Sequence, residues 1–246
     1  MALQTPAGVK NKEAPKFGWD HDVPETPFWS DLKFTTGRNF LQSYSPDELG
    51  GIAADFERLN TAPKEDKLRF LLETLNTSLA AKNADVLIKE DYRLWSKIMV
   101  ARIACFSELG LVTEQEEAIQ TMIDNPQEPG GTNYSALNMM ASIREERGEY
   151  PEAERLARHV LPWLENLPGL EGQDSPPAMG TRRCIIRCLW KQGKRDDAKK
   201  FADETREIIE GMSEKQSKFM KYQDDEREYL ADQSDELEKW DKEQGK

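Results

Sequence analysis

Arg183 and Arg187 stand one helical turn apart in the stretch TRRCIIRCLWKQG, with Arg182 beside the first. Guanidinium forks spaced this way on one helix face match a carboxylate or phosphate bidentately. The chain carries 34 Lys and Arg against 46 Asp and Glu, a net charge of -12. Two chemistries are therefore open: the arginines clamp an anionic ligand, or they pair with the chain's own abundant acids. Cys184 and Cys188 occupy the same turn and could place two sulfurs on one metal. Zinc takes about four ligands, and no His or Cys stands close in sequence, so they read as small core residues. His21 lies between two carboxylates in WDHD, as a metal ligand or acid–base group would. The only other histidine, His159, reads as structural. No phosphate-binding glycine loop, GxSxG or HExxH pattern occurs. An Asp, Glu or Tyr acid–base site leaves no linear motif and stays open. No catalytic residue, metal or cofactor is assigned from the sequence.

These residues need a scaffold, and the composition points to helices. The chain has 246 residues, 37% hydrophobic and 33% charged with both signs interspersed. That mixture suits helices with wide solvated faces and i,i+4 ion pairs. The negative charge disfavours nucleic acid and anionic membranes, which bind through excess Lys and Arg. Three cysteines do not make a disulfide framework. The opening MALQTPAGVKNKEAPKFG has no apolar run like that of a signal peptide. No segment approaches the roughly 20 apolar residues of a membrane span. The expectation is a soluble, cytoplasmic protein with reduced thiols.

Residues 1–44 lack helical period, and FGWDHDVPETPFWSDLKF reads as an extended aromatic arm with a disordered tip. From Ser45 the pattern is helical. Ser45 and Glu48 form a capping box with Pro46 at the first position. Leu68, Leu71, Leu72, Leu75 and Leu79 make one apolar stripe. Leu94, Trp95, Ile98, Met99, Ile103, Phe106 and Leu109 make another, closed by Gly110. Thr113 with Glu116, and Ser213 with Gln216, read as further capping boxes, the last opening a helix to about 243. Pro162 should kink or end its helix near Leu161. Phe219, Tyr222, Tyr229, Leu230, Leu237 and Trp240 give the last helix an apolar side, interrupted by Glu226 and Gln233. Its charged side reads as a solvated face, or as part of a partner helix. No stretch reads as a strand.

Ala153 and Ala157 follow Gly148 at the same offsets as Ala198 and Ala202 follow Gly193, and Ala141 and Ile186 precede them alike. This pattern resembles the tetratricopeptide repeat, a helix pair with small residues at its close crossing. LEGQDSPPAMGTRRCIIRCLWKQGKRDDAKKFADE is most similar to the kinesin-light-chain type. The resemblance covers 134–212, is weak over 94–125, and departs from the family in three ways. The Gly148-to-Gly193 spacing exceeds the usual period of about 34. Leu137 and Arg144 stand where the consensus has Trp and Tyr. In the degenerate unit the small residue arrives late, at Ala118.

The resemblance implies a right-handed α-solenoid over 45–212, an extended arm over 1–44 and a charged capping helix over 213–246. It implies a concave groove lined by the first helix of each pair. Groove positions by alignment are Ser135, Asn138, Ser142 and Glu145, then Arg183, Arg187 and Trp190, with Lys97, Val100 and Ala104 in the degenerate unit. The implied function is a scaffold or adaptor. It would bind a partner protein or peptide, with an acidic or carboxylate end, through Asn138, Ser142, Glu145, Arg183, Arg187 and Trp190. Two other readings are open. The arm residues Trp19, Phe28, Trp29 and Phe34 could form a lid over a pocket for cofactor-independent isomerase, cyclase or hydrolase chemistry. Alternatively, PETPFW could plug the groove.

Overall fold

The computed structural model describes residues 21–213 and 217–243; all their regular structure is helical, and no strand occurs among them. They fall into two compact units, 21–133 and 134–243. The boundary lies inside the stretch that the sequence reading grouped as one repeat domain over 45–212. Among the described residues, no helix is long and apolar enough to cross a membrane.

The first unit holds α1 (Pro27–Ser30), α2 (Phe34–Leu41), α3 (Pro46–Arg58), α4 (Lys64–Lys82), α5 (Ala84–Glu90), α6 (Tyr92–Leu109) and α7 (Val112–Asp124). Helix α6 packs against α2, α4, α5 and α7. The expected capping box at Ser45 forms, with the Glu48 N–H bonding Ser45 Oγ and the Glu48 carboxylate accepting from the Ser45 N–H. At Thr113 it does not, because α7 begins one residue earlier, at Val112.

The expected extended arm is corrected over 27–41. Those residues form α1 and α2 because their rings have a core to enter. Phe28, 0% exposed, and Trp29 meet Phe56 at centroid distances of 4.9 and 5.0 Å, and Phe40 and Phe70 complete the cluster. The Lys67 ammonium, also 0% exposed, donates to Pro27 O at 2.7 Å and Asp31 Oδ2 at 2.5 Å, fixing α1 onto α4. Phe28 and Trp29 are thus core residues of this unit, neither lid nor plug. Phe34 is exposed, and Trp19 lies outside the described residues.

The second unit holds α8 (Tyr134–Glu146), α9 (Tyr150–Glu165), α10 (Pro176–Lys191), α11 (Arg195–Glu210), a 3-10 turn (Met220–Tyr222) and α12 (Gln223–Glu243). Helix α9 packs on α8 and α10, and α10 packs on α8, α11 and α12 as well. Gly148 and Gly193 adopt φ of +78° and +82°, which glycine enters without the Cβ penalty. The next residue's N–H reaches back in each case, Glu149 to Arg144 O at 2.9 Å and Lys194 to Leu189 O at 3.0 Å. This is the Schellman cap. Gly110 ends α6 in the first unit the same way, with φ of +73° and Leu111 bonded to Phe106 O. Ala153, Ala157 and Ala198 are fully buried just beyond these caps, where a larger side chain would separate the paired helices.

Two expected boundaries shift. Helix α9 continues through Pro162 to Glu165. Proline forfeits only one hydrogen bond so near the end, while Leu161 and Leu164 are buried and Trp163 stacks on Tyr134 at 5.2 Å. The last helix starts at Gln223 rather than near Ser213. The Gln223 amide instead donates to Ile209 O and Met212 O, closing the end of α11. Gln216 lies outside the described residues.

Candidate functional site

Helix α10 is the centre of the second unit, and the three arginines it carries are all half-buried or buried. Burying a guanidinium demands a partner, since an unpaired charge in a low dielectric is prohibitive. Each finds a carboxylate on a different helix. Arg182 bonds Glu165 of α9. Arg183 bonds Glu226 of α12. Arg187 grips Glu145 of α8 with both arms of its fork, one at 2.8 Å, and donates to Gln233 Oε1 of α12 at 3.2 Å. The chain's own acids thus meet the arginine pair, the second of the two chemistries open from the sequence.

The groups tune each other. Burial, helped by the nearby Arg187 charge, pulls the Arg183 guanidinium down to about 10. Burial also pulls Arg187 down, but the Glu145 carboxylate outweighs it and leaves this arginine above its ordinary value. Tyr229 of α12 lies under the Arg183 guanidinium at 5.1 Å.

Helix α12 therefore packs on α10 and α11 and covers the three α10 residues, Arg183, Arg187 and Trp190, among the positions that the repeat resemblance assigns to a ligand. Glu226, Leu230, Gln233 and Leu237 are its buried positions, spaced by threes and fours on one stripe. Leu230 and Leu237 pack with Met179, Ile186 and Ile209, and Trp190 closes the edge. Arg195 lies over Trp190 at 4.6 Å and donates to Asp241. The two polar breaks in the apolar stripe, Glu226 and Gln233, are the residues that meet Arg183 and Arg187. The interface is imperfect. Trp190 Nε1 and Gln233 Nε2 are buried without an acceptor among the described residues, at a cost of about 1–3 kcal/mol each.

The other assigned positions divide. Asn138 accepts the Thr181 hydroxyl at 3.0 Å, tying α8 to α10. Ser142 is exposed and its hydroxyl bonds back to Asn138 O at 3.4 Å. Glu145 is drawn into the arginine network. Ser135 is exposed, and Lys97, Val100 and Ala104 lie half-buried in the first unit. His21 is exposed and so is His159, whose ring packs at 5.6 Å from Tyr134.

The sequence reading missed one juxtaposition. Cys184 and Cys188 stand together, buried, and Glu145 of α8 approaches both. A hydrogen bond with Cys188, burial and the Glu145 charge push the Cys184 thiol well above its usual range. The signal in the sequence is the pair of i,i+4 cysteines, which only packing joins to Glu145. No protein-family model, curated protein or solved structure matches this chain.

Proposed function

We propose that residues 134–243 form a protein-binding module of the tetratricopeptide kind. Its ligand is an amphipathic helix whose apolar stripe carries an acidic or amide residue at two positions seven residues apart, as Glu226 and Gln233 are, and its receptor face is the α10–α11 surface around Arg183, Arg187 and Trp190. One observation carries this reading: α12 occupies that face, and the breaks in its apolar stripe coincide with the two arginines. The chain supplies its own occupant in cis, and a partner helix of similar pattern exchanges with it. Two buried donors left without acceptors make α12 an imperfect occupant. A partner that offers Trp190 Nε1 an acceptor, and carries no orphaned amide like that of Gln233, gains the difference. The closing contacts are ionic, and buried ion pairs select a partner more than they add net stability.

The test is a titration of a labelled peptide of residues 217–243 into two forms of the chain. One is full length and the other ends at Gly211. The truncated form is expected to bind at least about tenfold more tightly, because α12 in cis reduces the competent fraction. Arg183→Glu/Arg187→Glu in the truncated form should abolish binding while the far-UV helical signal persists. Equal affinity in the charge-reversed form would remove the arginines from the face.

A further inference from the structure

We propose that Cys184, Cys188 and Glu145 form a binding site for a thiophilic divalent cation of the zinc type. The two sulfurs and one Glu145 carboxylate oxygen all lie within 4.8 Å of one another. Ligands on one tetrahedral Zn2+ ion, at about 2.0–2.3 Å from it, stand roughly 3.6 Å apart. Small side-chain rotations close that gap, because Cys184 and Cys188 already share one turn of α10 and Glu145 faces them from α8.

The charge balance favours a divalent ion. With both thiols protonated, Glu145 and Arg187 sum to zero. When Zn2+ binds, two S–H bonds break, both protons leave to solvent and two Zn–S bonds form. The charges of two thiolates, one carboxylate, the ion and Arg187 again sum to zero. A buried site that keeps the same net charge with and without its ion avoids the desolvation cost of an unpaired charge. No electron is transferred, so no oxidant or reductant is needed.

The surroundings suit the ion too. Ligating carboxylates are held by outer hydrogen bonds, and Arg187 already provides them to both Glu145 oxygens. Each oxygen keeps a further lone pair for a metal. The cysteines are buried, 6% and 0% exposed, and the Glu145 side chain is the most open of the three at 12%. Three protein ligands leave a fourth position for water or an exogenous group, the open arrangement of zinc sites that do chemistry or exchange ligands. The site stands whether or not the α10 face binds a partner helix.

The experiment is a Co2+ titration of the reduced, metal-stripped full-length chain. The expected result is thiolate-to-cobalt charge-transfer absorption that saturates at one ion per chain and is bleached by Zn2+. Cys184→Ser/Cys188→Ser should abolish it, and Cys105→Ser should leave it unchanged. Glu145→Gln should keep the band but weaken binding at least about tenfold. No band in the wild type, a band that survives the double serine variant, or undiminished affinity in Glu145→Gln would each overturn the site. If the double variant loses its helical signal, zinc X-ray absorption of the wild type decides. Two sulfurs at about 2.3 Å support the site, and one or none overturns it.

Discussion

The two units close their helices by different means. In 21–133 the closing contacts are rings: Phe28, Trp29, Phe40, Phe56 and Phe70 meet in one cluster. The buried cation there, Lys67, pairs with a carboxylate that remains 54% exposed. In 134–243 ions join an apolar core: Arg182, Arg183 and Arg187 each reach a carboxylate on another helix, beside the packing of Leu230 and Leu237 on Met179, Ile186 and Ile209. Apolar burial is non-directional and roughly proportional to area. A buried ion pair adds little net stability, yet punishes any mismatch. The closure of the second unit is therefore the more sensitive to the identity and register of the polar residues that make it.

The largest expected effects come from cutting each closure once. Phe28→Ala should cost the first unit about 3–5 kcal/mol through the cavity it leaves. Glu226→Ala should cost the second a similar amount, about 3–5 kcal/mol, because Arg183 is left buried without its partner. The units part company at the second cut. Arg183→Met/Glu226→Leu should recover most of that loss or exceed wild-type stability, whereas Phe28→Ala has no charged group left to relieve. Urea unfolding of the full chain measures all three. A double variant as unstable as Glu226→Ala would make the ion pair a stabilising element and erase the contrast.

Where the units share a device, they should respond alike. Gly110 in the first and Gly148 and Gly193 in the second end helices with positive φ. Alanine at any of them should cost about 1–2 kcal/mol from the left-handed backbone alone, read as equal shifts in unfolding midpoint. A much larger loss at Gly148 or Gly193 than at Gly110 would mean that their turns also carry helix packing. Lys67→Met belongs next in size. Its partners, Pro27 O and Asp31, lie on exposed residues and can rehydrate, so about 1 kcal/mol is expected, well below the Glu226→Ala loss. A loss as large as that would show the first unit to be ionically closed as well.

Helices and their glycine ends were legible because both depend on local chemistry. The 3.6-residue stripe of Leu68, Leu71 and Leu75 and the caps at Ser45 and Gly148 are each set within one or two turns. What could not be read depends on partners distant in the chain. Pro24, Pro27 and closely spaced aromatics made 21–44 look extended, since nothing local announces that Phe28 will meet Phe56 and Phe70. The arginine pair is visible in the sequence, but its acids are not: Glu226 and Gln233 read only as flaws in an apolar stripe. Polar breaks in one amphipathic helix and a cationic pair on another are complementary, and placing them side by side would have suggested the docking of α12. Glu145 was likewise assigned to the groove and the cysteines to the core, with nothing in the linear order to join them.

The smallest expected effect comes from acid. The Lys82 ammonium, with the Ser45 N–H, holds the Glu48 carboxyl down to about 2 from an ordinary 4.5. A carboxyl depressed in the folded state contributes stability that is fully present above its unfolded pKa, and this is lost as pH falls through the folded one. The window therefore runs from about 4.5 down to about 2. Glu48→Gln should be less stable than wild type at pH 7 and converge with it near pH 2. Solvent screening keeps the difference below about 1 kcal/mol, because both side chains are partly exposed. In the second unit Glu171 is held equally low by Lys218, but its side chain is more exposed, 57% against 40% for Glu48, so Glu171→Gln should give a smaller window. Depression of a carboxyl alone does not separate the units; what lies around the pair does. A Glu171 effect as large as that of Glu48 would mean that the surface pairs of the second unit contribute to its closure along with the buried ones.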